Sequence, residues 1–108
     1  MEKYRNAPYR APLVIVLVSD TKEHPKVPVI EQQLSTAAAG QNMLLAFHEM
    51  GFAGIWRTGK FSFNKEISAE LDLKQSEIVI GYLYIGTADG KAKKIPDLRT
   101  EDFVTIWK

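Results

Sequence analysis

Two unbroken apolar runs bracket one long mixed segment. Leu13 to Val18 reads LVIVLV, and Glu77 to Gly86 reads EIVIGYLYIG. Both predict strands, and the first, unbroken and β-branched, is of the kind buried on both faces and typical of the middle of a mixed or parallel sheet. Between them, Glu31 to Gly59 reads EQQLSTAAAGQNMLLAFHEMGFAGIWRTG. A helix is predicted from Val29–Gln32 to Met50, with Glu31 favourable in its first turn and Gly51 at the stop. One stripe of this helix holds Leu34, Ala37, Ala38, Gln41, Leu44, Leu45 and His48, and a second holds Ala39, Met43, Ala46, Phe47 and Met50. Together they cover most of the circumference, which predicts a buried helix. The run Ala37-Ala38-Ala39-Gly40 lets another backbone come close.

The remaining segments are connectors and shorter elements. Met1 to Pro12 is polar and broken by two prolines, and Ser19 to Pro28 is a charged loop with two more. Ala53 to Arg57 predicts a short buried strand, and Asn64 is placed to cap a helix reaching Leu71. Asp89-Gly90 marks a turn, Lys91 to Lys94 is basic, Pro96 stops regular structure, and Asp102 to Lys108 forms a tail ending FVTIWK. Strand, helix, strand, helix, strand and tail alternate, which suggests a layered α/β sheet in a single domain, residues 1–108. The first strand has almost nothing before it to cover it, and the long helix is too apolar for three strands. A homodimer or a missing partner segment would relieve this burial deficit.

Charge narrows the range of functions. Fourteen Lys and Arg against 13 Asp and Glu leave a net charge of +1, so no general attraction to nucleic acid or membrane is implied. With no cysteine, thiolate catalysis, disulfides and Cys-based zinc sites are excluded. His24 and His48 are the only histidines, and neither has the spacing of a triad or a metal pair, so no metal is expected. His48 on the helix reads as a packed or interface residue; His24 sits in a loop, where sites concentrate. No apolar leader is present at MEKYRNAPYR and no run is long enough to span a bilayer, so a soluble cytoplasmic protein is expected.

From the loop EHPKVP, through the helix EQQLSTAAAGQNMLLAFHEMGFAG, IWRTG and the strand IVIGYLYIGT, to the close DFVTIW, the chain resembles the nitroreductase family. The match runs from about Leu13 to Trp107. The resemblance implies the C-terminal portion of a three-layer, dimeric nitroreductase-like fold, of α+β or α/β class. It also implies an FMN-dependent oxidoreductase that takes electrons from NADH or NADPH and reduces nitro compounds, quinones or similar small-molecule acceptors. In that family FMN lies at a dimer interface, and the strand after the long helix runs past the flavin ring. This carries over to Trp56, Arg57, Thr58 and Gly59. A basic pair near the chain end reaches the phosphate, which carries over to Lys91 and Lys93, with Lys94 as the alternative. The family's Arg-rich motif, R-R-S-x-R, has no match here, since Tyr9-Arg10-Ala11 lacks the serine and the spacing. A fragment that needs its N-terminal complement is therefore expected.

Each of these residues also has a plain structural reading. Thr58-Gly59 ends a strand, as any turn would; a glycine there also lets backbone approach a flat ring, with N–H groups towards flavin N5 or O4. Trp56 reads equally as core packing. Arg57 can face solvent, or favour an anionic reduced flavin. Lys91, Lys93 and Lys94 read as solvated surface, or as point charges for a phosphate. Glu31 and Gln32 read as helix-terminus electrostatics or as a partner contact. No residue is expected to act as a general acid or base. The alternative function is a non-catalytic dimerising domain with no flavin.

Overall fold

The computed structural model describes residues 11–59 and 65–108. The lead-in up to Arg10 and the Asn64 cap lie outside the described residues. The elements follow the predicted order: β1 (Leu13–Asp20), α1 (Val29–Glu49), β2 (Ala53–Arg57), α2 (Lys65–Glu70) and β3 (Glu77–Gly86), then a 3₁₀ turn at Thr100–Asp102. The three strands form one antiparallel sheet in the order β1-β3-β2. This corrects the reading of β1 as a middle strand: among the described residues β3 takes the centre and β1 lies at an edge. Its apolar run reflects two faces that repel water, and such a run does not say how many neighbours the strand has.

The β1–β3 ladder runs from Leu13 opposite Ile85 to Leu17 opposite Gly81, then resumes at Val18 opposite Val79. Ile80 is therefore the extra residue of a bulge, directly beside Gly81. Burial along β3 nonetheless alternates without a break, through Val79, Gly81, Leu83 and Ile85. Beyond it, Thr21 donates from its backbone N–H and its hydroxyl to the Ser76 carbonyl, and Ser76 Oγ donates to Asp20 Oδ1 at 2.8 Å. These bonds tie the exit of β1 to the entry of β3.

One face of α1 packs on the sheet. Met43, Leu44 and Phe47 meet Leu17, Leu83 and Ile85, with Ile15, Trp56 and Ile80 at the margin. Gly40 is the buried residue of the helix. The other face is open: Ile30 is 61 %, Leu34 60 % and Leu45 57 % exposed. The helix expected to be buried all round thus finds cover on one side only among the described residues. β2 departs from expectation in the same way, with Trp56 half-buried and its neighbours exposed. The helix and sheet make two layers.

The C-terminus of α1 shows why Gly51 stops it. Phe52 N–H donates to the Phe47 carbonyl and Gly51 N–H to the His48 carbonyl, while Gly51 has φ +90. This is a Schellman cap, which needs a left-handed residue where glycine sits. Its usual apolar contact is present too, with the Phe47 and Phe52 rings edge-on at 6.5 Å. No helix of the described residues is long and apolar enough to cross a membrane.

Candidate functional site at the end of β2

β2 pairs with β3 from Ala53 opposite Gly86 to Arg57 opposite Tyr82. Strand alternation sends Gly54 and Trp56 towards α1, and Ile55 and Arg57 to the other face. A Cβ on Gly54 would lie 2.8 Å from Leu44 Cδ2, which fixes that orientation. The Trp56 indole lies between the Gly40 and Gly81 backbones. Of the residues expected near a cofactor, Trp56 therefore turns its side chain into the helix–sheet interface, as its packing reading held.

Arg57, Thr58 and Gly59 are exposed. Gly59 has φ +66, and beyond its chain neighbours no atom lies within 4 Å of the place its Cβ would occupy. The space beside Gly59 is thus open. Arg57 forms no ion pair among the described residues, so its charge is available to a ligand.

The basic run begins from the opposite end of the strand. β3 ends at Gly86, across from the start of β2, and the chain continues from there to Lys91 and Lys93. Five residues of β2 at about 3.4 Å each separate its two ends by about 14 Å. Lys91, Lys93 and Lys94 are exposed, and none is ion-paired among the described residues. The chain thus offers an open space beside Gly59 and, in a separate segment, an exposed cationic run. An FMN would use both kinds of group, the first against its ring and the second at its phosphate.

Sequence reading passed over three features. Tyr82 and Tyr84 share Arg57's face of the sheet, where Ala53, Ile55, Arg57, Tyr84 and Thr87 line a shallow hollow. Burial, and secondarily the neighbouring Tyr84, raise the Tyr82 phenol above the usual tyrosine range. The spacing Y-x-Y on a strand placed both on one face and was legible. The second feature is a clasp in the loop before α1. Gln32 accepts the Lys22 N–H at 2.9 Å and donates to the carbonyls of Lys22 and Val27 at 2.8 and 3.0 Å. His24 Nδ1 accepts the N–H groups of Lys26 and Val27, each at 3.1 Å. His24 thus has a local structural role. The third is the pair of glycines around Trp56, of which Gly81, interior to a strand, was the visible signal. His48 is exposed, and no cluster of metal-ligating side chains occurs among the described residues.

The chain is similar to known proteins along most of its length. The Nitroreductase family model matches residues 1–87. The chain is 37 % identical over 110 residues to YdjA of Escherichia coli K12, provisionally named an NAD(P)H nitroreductase, covering 99 % of this chain and 59 % of that protein. A Haemophilus influenzae protein with the same provisional name is 35 % identical over 107 residues, covering 95 % of this chain and 57 % of the relative. The chain thus spans somewhat over half the length of these curated relatives. In three dimensions it matches a nitroreductase-like family protein from Bacillus cereus with a TM-score of 0.75 at 20 % identity, over 97 % of this chain and 59 % of the other. An FMN-dependent nitroreductase from Clostridium difficile R20291 matches with a TM-score of 0.63 at 22 % identity, over 81 % and 51 %. The fold is nitroreductase-like, and the chain belongs to the nitroreductase family.

Proposed function

We propose that this chain supplies the C-terminal part of an FMN-dependent NAD(P)H oxidoreductase acting on nitro compounds, quinones or similar acceptors. The observation that carries this reading is the open end of β2. Gly59 leaves room beside its backbone, and the exposed Arg57 guanidinium stands next to that space in sequence. When bound, the flavin supplies the chemistry, accepting hydride from the nicotinamide and passing electrons to the acceptor. The chain's own residues bind and orient. Thr58-Gly59 presents backbone to the ring edge, Arg57 offers fixed positive charge where negative charge develops, and Lys91 and Lys93 neutralise the phosphate. Trp56 takes part through its backbone alone. No side chain need carry a proton. The chain works as a dimer through the exposed face of α1, and the remaining family segment, present in the longer relatives, completes the phosphate site.

Titrating FMN and following flavin fluorescence tests this, first with the chain alone and then with the N-terminal segment of a family relative added. Saturable quenching in either arm supports a flavin site, and quenching only in the second marks the chain as one half of it. No quenching in either arm would overturn the reading and leave a non-catalytic dimerising domain.

A further inference from the structure

Among the described residues β2 pairs on one side only, in a ladder with β3 that ends at Arg57 opposite Tyr82. Immediately before that end, one side chain packs β2 between helix and sheet. A Cβ on Gly40 of α1 would lie 2.6 Å from Trp56 Cζ3 and 2.6 Å from Leu17 Cδ1. A Cβ on Gly81 of β3 would lie 2.6 Å from Trp56 Cε2 and closer still to Nε1. The indole therefore occupies a slot whose two walls are bare backbone, one from the helix and one from the sheet. Any side chain on either wall would push it out. Trp has two side-chain torsions, so a slot of this kind leaves little freedom to the strand that carries it. Arg57, Thr58 and Gly59 follow directly and are all exposed.

We propose that Trp56 is a positioning residue. Its indole, keyed between Gly40 and Gly81, sets the course of the Arg57–Gly59 segment and so the backbone edge offered to a planar ligand. This rests on the flavin reading for its purpose but not for its geometry. The side chain does not touch the ligand; it acts through the backbone that follows it. Gly40 and Gly81 share the role, since their missing side chains create the slot.

Two readouts on one set of variants test this: amide hydrogen exchange along the chain, and FMN affinity by fluorescence with the family N-terminal segment present. In Trp56→Leu, exchange in the β2–β3 ladder up to Arg57 is expected to rise about ten-fold, while the β1–β3 ladder keeps its protection. FMN affinity is expected to fall about ten-fold, and Trp56→Phe to restore most of both losses. Should Trp56→Leu fail to fold, Trp56→Phe carries the same comparison with smaller changes. Equal loss of protection across all strands would overturn the proposal, since it would show packing alone. Wild-type affinity in Trp56→Leu would overturn it as well. If no protein binds FMN but the local exchange responds as expected, the flavin reading falls and the positioning role stands.

Discussion

Gly40 and Gly81 show how much a missing side chain can specify. Neither has the positive φ that usually explains a glycine; each is required because the Trp56 ring fills the place of its Cβ. Gly40→Ala is expected to cost about 1–3 kcal/mol in a denaturant titration, the usual price of overpacking. A change under about 0.5 kcal/mol would mean the indole can move aside at little cost. The sequence showed a run of small residues at Ala37 to Gly40, but not which of the four meets the sheet, because that depends on the rotation of the helix. Tyr82 makes a separate residue-scale test. Its phenol is raised in the folded chain by burial and by Tyr84. A raised folded value means the native state holds the proton more tightly. The associated stability is full below the ordinary tyrosine value of about 10 and declines as pH rises through the folded value. Chemical denaturation from pH 8 to pH 11 is therefore expected to show a steeper alkaline loss in the wild type than in Tyr82→Phe. Parallel curves would remove Tyr82 as the cause.

At the level of elements, local signals located most boundaries, because boundaries are set by local chemistry. The end of α1 is clearest: Gly51 supplies the left-handed residue, and the 6→1 bond from Phe52 closes the turn. α2 ends by the same device with Asp72 at φ +58, where Leu73 N–H donates to the Ser68 carbonyl and Asp72 N–H to the Ala69 carbonyl. Asp tolerates that conformation through its short polar side chain, but less well than glycine does. Gly51→Ala is expected to destabilise the chain by about 1–2 kcal/mol through the strain of a left-handed alanine. An unchanged unfolding midpoint would show that the cap relaxes without it. The start of α1 was harder to read. Pro28 provides no side-chain cap, and the loop is gathered instead by Gln32, a residue inside the helix that reaches back over it. Such a bond pairs residues whose spacing is fixed by the loop's path, so composition alone does not reveal it. Strand neighbours were also hidden. LVIVLV says that both faces avoid water, whereas its place at the sheet edge among the described residues comes from long-range pairing with EIVIGYLYIG.

For the whole molecule the decisive quantity is how little apolar surface the described chain covers by itself. Its buried apolar residues are Leu17, Val79, Leu83 and Ile85, while Ile30, Leu34 and Leu45 stand exposed along α1 and Trp107 is 94 % exposed in the tail. The burial deficit was legible in the sequence, since periodicity reports which faces avoid water. The identity of the cover was not, since a face of this kind accepts any complementary apolar surface. On α1, Ile30, Leu34, Ala38, Gln41 and Leu45 fall on one exposed stripe, with small and polar positions at its centre. Helices meet closely where side chains are small, and a two-fold axis would set the same stripe of a second copy against this one. Ala38→Glu is then a clean probe. The position is exposed in the single chain, so the substitution leaves the fold intact and circular dichroism unchanged. In a symmetric pair it brings two carboxylates into an apolar contact, each without a partner. The dimer Kd is expected to rise about a hundred-fold or more, read by analytical ultracentrifugation across a concentration series. A dimer of unchanged strength would move the interface off α1, and a wild-type chain that stays monomeric throughout the series would mean that this stripe is covered by something other than a second copy.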